Sequence, residues 1–258
     1  MDATTVPDAG PRHLRDAQAV IVAPHCDDTA FSLGISLVAC SLGRRPLVLN
    51  VFSVSNWTAA QPGTGDVQET TRRRNEEERA ACRRVGADVE FLAFREPMVR
   101  GDYGPGDFMD PARDPEADPV FEEVRRAIPA LRAELADRVW LFPLGVGHHV
   151  DHRILARVGA RACRTGVLPR AGFYQDLPYA CTHDSAPILK DIEARAGRDL
   201  VPIRLAAAPA ADKLNLLRIH GSQMTEDVLE KMARWHAEHP EETIRVSPEA
   251  AALFEAVS

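Results

Sequence analysis

Short apolar runs that alternate with helix-patterned segments constrain this chain more than any other feature. AVIVAP (19–24), PLVLNVFSV (46–54), VEFLAF (89–94) and RVWLFPL (138–144) are rich in Val, Leu, Ile and Phe and read as buried strands, with AGFYQDL (171–177) a weaker fifth. Between them, residues 29–43, 69–86, 119–135 and 152–166 carry helical periodicity, and Gly43, Gly86 and Gly166 fall where helix C-caps are expected. Such alternation predicts an α/β fold, Rossmann-like and three-layered (αβα), with a mostly parallel sheet of five or more strands. Ligands of these sheets bind beyond the carboxyl ends of the strands, so chemistry is to be sought there.

The 258 residues suffice for one large domain. A single domain is expected, with its core at about residues 16–223 and a helical C-terminal appendage over 224–258. A net charge of −7, with arginines scattered along the chain, gives no support for a nucleic-acid surface. Five widely spaced cysteines lack any CxxC pair, which excludes a zinc ribbon and points to a reducing compartment. The first sixteen residues contain no apolar signal region, and no run is long enough to cross a bilayer. A cytoplasmic protein without a membrane partner is therefore expected.

The first strand runs into PHCDD, which places His25, Asp27 and Asp28 within four positions. One carboxylate could cap the following helix. A second carboxylate and an imidazole need another explanation, because adjacent buried charges resist desolvation. The fourth strand runs into GVGHHVDHR, with three histidines and an aspartate in residues 148–152. A divalent cation at the shared rim would compensate the carboxylates. His25, Asp28 and His152 make a two-histidine, one-carboxylate set that leaves a coordination position open, and Asp27 is left beside it as a candidate base.

PHCDD resembles the PHPDD motif, and HVDH (149–152) the HxDH motif, of the PIG-L/LmbE-like zinc-dependent N-acetylglucosaminyl deacetylases. Residues 73–96 are similar to that family's Arg-x-x-Glu helix and following strand, and KLNLLRIHGSQ (213–223) to its Lys…His-x-Ser-Gln segment. The resemblance implies an N-deacetylase that uses Zn²⁺, with Fe²⁺ or another divalent metal as the alternative. It implies His25, Asp28 and His152 as metal ligands and Asp27 as general base. His149 would be the electrophilic or general-acid residue, steadied by Asp151, and Arg74 and Glu96 would lie on the substrate side. The implied partner is a small acetylated amino sugar or glycoconjugate, and a homo-oligomer is left open.

Two positions depart from the motif: Cys26 stands where proline is usual and Thr29 where glutamate is usual. Cys26 is expected to point away from the metal, and loss of the glutamate bears on fine tuning of the centre. His220 is expected to serve packing rather than catalysis. The long connections 56–68 and 95–118 both follow strands and are expected to overhang the site. Two other readings are open: a sugar- or metal-binding member without catalysis, and a non-haem iron oxygenase, whose facial triad usually sits on a β jelly roll.

Overall fold

The computed structural model describes residues 10–14, 17–101, 103–104, 106–131, 135 and 137–256. In chain order the strands are β1 (Arg12–Leu14), β2 (Ala19–Ala23), β3 (Leu47–Asn50), β4 (Asp88–Phe91), β5 (Val139–Pro143), β6 (Ala171–Tyr174), β7 (Val201–Arg204), β8 (Thr243–Val246) and β9 (Phe254–Ala256). The helices are α1 (Asp28–Val38), α2 (Val67–Val85), α3 (Pro97–Arg100), α4 (Phe121–Ala130), α5 (Val150–Arg164), α6 (Ala186–Ala196), α7 (Ala210–Leu217), α8 (Glu226–Glu238) and α9 (Pro248–Ala251). The predicted helix over 119–135 corresponds to α4, and residues 132–134 of it lie outside the described set.

Seven strands form one sheet in the order β4-β3-β2-β5-β6-β8-β7. The five predicted strands make its parallel block, from β4 to β6. The expectation of a mostly parallel sheet holds for that block, but the whole sheet is mixed, because β8 pairs antiparallel with both β6 and β7. Alternate residues of β2 enter different cores: Val20 and Val22 pack with Trp140 and Phe142, whereas Ala19, Ile21 and Ala23 pack with Val139 and Leu141. The sheet is thus buried on both faces, which is why its strands read as continuous apolar runs. An α/β sheet of this kind is not the jelly roll on which iron oxygenase triads usually sit.

Two sequence expectations are corrected. Residues 224–258 are not simply helical, since they supply β8 to the sheet and β9 to a small antiparallel pair with β1. β7 and β8 have four residues each, and Pro202 in β7 weakened its strand signal; proline is tolerated there because β7 is the sheet edge. Gly43 is not a C-cap, because α1 ends at Val38. Gly43 instead sits at φ 91° in a tight connection where a Cβ would lie 2.6 Å from the Ala17 carbonyl oxygen. Gly86 does cap α2 in the left-handed region, at φ 70°.

The strand order fixes the place of the site. The chain winds outward from β2 through β3 to β4, then returns to lay β5 on the other side of β2. The connections leaving β2 and β5 consequently diverge and open a crevice at their carboxyl ends. The segments containing His25 and His152 leave from those two ends.

Candidate metal centre and active-site cavity

β2 delivers residues 24–28 into a sharp turn. Asp27 adopts φ 107°, a backbone conformation that an L-residue with a side chain rarely takes. Its N–H is held by Glu78 Oε2 at 3.1 Å. Asp27 is the residue before α1, yet its side chain makes no capping bond, so helix capping does not account for it. Asp28 turns inward, and its Oδ2 accepts from the His25 backbone N–H at 2.8 Å.

Around that oxygen stand His25 Nδ1 at 3.2 Å and His152 Nε2 at 3.4 Å. One ligand atom from each of His25, Asp28 and His152 lies within 4.8 Å of the others, and all three residues are buried. His152 Nε2 is buried without a hydrogen-bond partner. An orphaned imidazole nitrogen aimed at a carboxylate and a second imidazole is the donor set that a divalent cation fits.

The far side of each imidazole is held by a carboxylate. His152 Nδ1 lies 2.6 Å from Asp176 Oδ1, and Asp176 Oδ2 accepts from the backbone N–H groups of Gly145 and Val146 at 2.9 and 3.0 Å. His25 Nε2 lies 3.0 Å from Asp151 Oδ2. With their outer nitrogens donating to carboxylates, both rings present the inner nitrogen as a lone pair, the usual arrangement around metal-bound histidine. Burial alone would lower the His25 pKa, but Asp151 and Asp28 outweigh it and lift the group to about 10. A cation bound at Nδ1 would displace the proton that these carboxylates otherwise favour there.

His149 is the N-cap residue of α5, and its Nδ1 accepts from the Asp151 backbone N–H at 3.2 Å. The expectation that Asp151 steadies His149 is met only through that backbone group; the Asp151 carboxylate grips His25 instead. Burial, aided by the charge of His25, holds the His149 pKa well below its ordinary value. A neutral ring whose Nδ1 accepts must carry its proton on Nε2.

Arg74 and Glu96 line the same cavity but are paired with each other, Arg74 Nη1 to Glu96 Oε1 at 2.6 Å. Ser55 joins both, accepting from Arg74 at 2.7 Å and donating to Glu96 at 2.6 Å. Arg74 Nη2 also donates to the Cys26 carbonyl at 3.2 Å and lies 4.0 Å from Asp27 Oδ1. Both residues thereby buttress the Asp27 turn. Burial and the adjacent Asp28 carboxylate push the Asp27 pKa well up, with Arg74 and His25 opposing. A cation beside Asp28 acts in the same direction as Arg74.

The two departures have places. Cys26 Sγ donates to Asn75 Oδ1 at 3.3 Å on α2, and burial raises its pKa well above normal, so it stays a thiol facing the helix. Thr29 lines a small void with Glu78 and His220. His220 is buried with neither ring nitrogen hydrogen-bonded, and burial lowers its pKa to about 3.

Asp176, Glu78 and Arg100 went unread in the sequence. Asp176 had a signal: it lies just past β6, a strand end of the same rim. Glu78 and Arg100 had none, since each reaches the site through a side chain whose direction only packing sets. The cavity above Asp27, Asp28 and His149 measures about 260 Å³ and is walled by Phe31, Trp57, Met98, Phe108 and Tyr179. Trp57 and Phe108 come from the two long connections, and Phe108 lies 5.1 Å from the His149 ring.

The α/β sheet thus carries, at its switch point, a His-Asp-His group whose donor atoms could hold a metal ion. The chain matches the PIG-L, GlcNAc-PI de-N-acetylase, family over residues 20–163. It belongs to that family. It is 32% identical over 226 residues to 2'-N-acetylparomamine deacetylase of Streptomyces fradiae, covering 86% of this chain and 78% of that one. The zinc-inhibited form of teicoplanin deacetylase Orf2 superposes with a TM-score of 0.67 at 19% identity, over 89% of this chain and 97% of the other. N,N'-diacetylchitobiose deacetylase from Pyrococcus horikoshii gives a TM-score of 0.57 at 20% identity, over 90% and 85%. These likenesses to solved structures concern the fold. Among the described residues no helix is long and apolar enough to cross a membrane.

Proposed function

We propose that the protein is a metal-dependent amide hydrolase that removes an N-acetyl group from an amino sugar or glycoconjugate. The observation that carries this reading is the convergence of His25, Asp28 and His152 with an unpartnered His152 Nε2, at the floor of an open cavity. The named activities of the relatives support it. The likeness to a 2'-N-acetylparomamine deacetylase favours the sugar of a glycosylated natural product over a primary-metabolism conjugate.

His25 Nδ1, Asp28 Oδ2 and His152 Nε2 would hold the cation, with zinc the fitting choice for two nitrogens and one carboxylate oxygen. A divalent cation in such a set acidifies a water molecule and polarises a carbonyl. Asp27, uncapped and facing the cavity, takes the proton from the attacking water and returns it to the leaving amine nitrogen. His149 donates from Nε2 to the carbonyl oxygen as charge develops there; because the ring is neutral, it acts as a hydrogen-bond donor. Arg74 and Glu96 fix the Asp27 turn and offer polar edges to the sugar.

Metal content by mass spectrometry comes first, followed by an amine-release assay over N-acetylated aminoglycoside precursors, glycopeptides and simple N-acetylglucosamine conjugates. Stoichiometric metal and chelator-sensitive amine release on at least one sugar are expected. Bound metal without turnover on any acetylated amine would sink the catalytic reading and leave a binding protein.

A further inference from the structure

The long connection 95–118 does more than wall the cavity. Arg100, the last residue of the short helix α3, reaches inward, and its Nη2 lies 2.8 Å from Asp151 Oδ1 and 3.0 Å from Asp118 Oδ2. Both carboxylate side chains are fully buried. The other oxygen of Asp151 holds His25 Nε2 at 3.0 Å. Asp118 is occupied in turn: Oδ1 accepts from the Val120 N–H at 2.9 Å, and Tyr103 donates its hydroxyl to Oδ2. The guanidinium lies 5.2 Å from the Phe52 ring and 5.3 Å from the Tyr103 ring, and Nη1 donates to the Arg95 carbonyl at 2.7 Å.

Resting on the metal-centre reading above, we propose that Arg100 is a positioning residue for the metal, acting through Asp151 on His25. A fully buried carboxylate is tolerated only when compensated and hydrogen-bonded. Arg100 supplies both, and so holds the Asp151 carboxylate aimed at His25 Nε2. That bond in turn leaves His25 Nδ1 as the lone-pair atom facing Asp28 and His152. Residues 97, 98 and 108 of the same connection face the cavity. The segment that contacts the substrate therefore also sets one ligand of the metal, and a change in the first is felt at the second. Lysine cannot replace Arg100 fully, because a single ammonium cannot lie flat between two rings while reaching two carboxylates and a carbonyl.

The test uses the full chain, stripped of metal and titrated with Co²⁺ alone, reading affinity by chelator competition and geometry by visible absorption. Arg100→Met should bind cobalt about tenfold or more weakly, with an altered spectrum. Arg100→Lys should recover part of the affinity and also remain folded if the Met variant does not. In an Asp151→Asn background, adding Arg100→Lys should change cobalt affinity no further, an outcome that a merely structural role would not give. Wild-type affinity and spectrum in either folded Arg100 variant would overturn the coupling while leaving the metal centre standing. A wild-type chain that binds no cobalt would overturn the metal centre, and the coupling with it.

Discussion

At the scale of single residues, the adjacent aspartates of PHCDD have separate tasks that the backbone assigns. Asp28 is pinned by the His25 N–H beside two imidazoles, whereas Asp27 is thrown to the cavity side by its left-handed φ. Asp27→Asn keeps size and hydrogen bonding but removes the proposed base. It should retain metal and fold while losing on the order of 10²–10⁴ in turnover. Metal stoichiometry and rate are to be measured on the same preparation: unchanged turnover would remove Asp27 from the mechanism, and lost metal would mean the two aspartates are exchanged. Asp176→Asn should weaken metal binding by roughly 10–100-fold, because the amide cannot orient His152 Nδ1–H as a carboxylate does. A chelator competition showing wild-type affinity would refute that role. His25, Asp28, His149 and His152 were legible because their residue types and spacing follow strand ends. The actual use of Asp151 was not, since a carboxylate two residues from His149 looks like its natural partner until the fold brings His25 closer.

At the scale of elements, the β5–α5 connection has little room to change. Gly147 has φ 84°, and a Cβ there would lie 2.5 Å from the Tyr179 side chain. His148 follows with a positive φ of 70°, and His149 begins the helix. Gly147→Ala therefore has both a strained backbone and an aromatic ring against it, and should cost about 1–3 kcal/mol. It should also displace His149, so turnover is expected to fall while metal affinity is largely kept. Thermal unfolding and kinetics on the variant check both; a wild-type melting temperature would show that the connection relaxes freely. The elements of the parallel block were readable because each strand is buried on both faces. β7 and β8 were not, because four half-alternating residues beside polar segments carry too little pattern to stand out.

At the scale of the whole molecule, a buried ion pair ties the C-terminal region to the first helix. Lys213 Nζ lies 2.7 Å from Glu242 Oε1, with both side chains nearly inaccessible. Glu242 also accepts from the Ile35 and Ser36 N–H groups and the Ser36 hydroxyl, at 3.1, 2.8 and 2.6 Å. Lys213→Met leaves that carboxylate buried without its cation and should destabilise the fold by roughly 3–5 kcal/mol. Denaturant unfolding measures this, and a loss below about 1 kcal/mol would mean that the helix N–H groups alone suffice. His236 gives the pH dependence: burial and the nearby Lys213 charge lower its pKa from 6.5 to about 4. The unfolded chain binds the proton first, so this contribution is fully present above about pH 6.5 and is lost as pH falls toward 4. His236→Gln in metal-free protein should flatten the decline of the melting temperature between those values; parallel curves would count against it. The sequence by itself determined the parallel α/β block and the rim at which His25, Asp28 and His152 meet, because apolar runs and strand-end histidines and carboxylates are local signals. Only the tertiary structure decided which carboxylate holds which imidazole, that Arg100 and Glu78 reach the centre, and that β8 inserts between β6 and β7 in the sheet. Those contacts join side chains far apart in sequence, and their pairing is set by packing and by the need to compensate each buried charge.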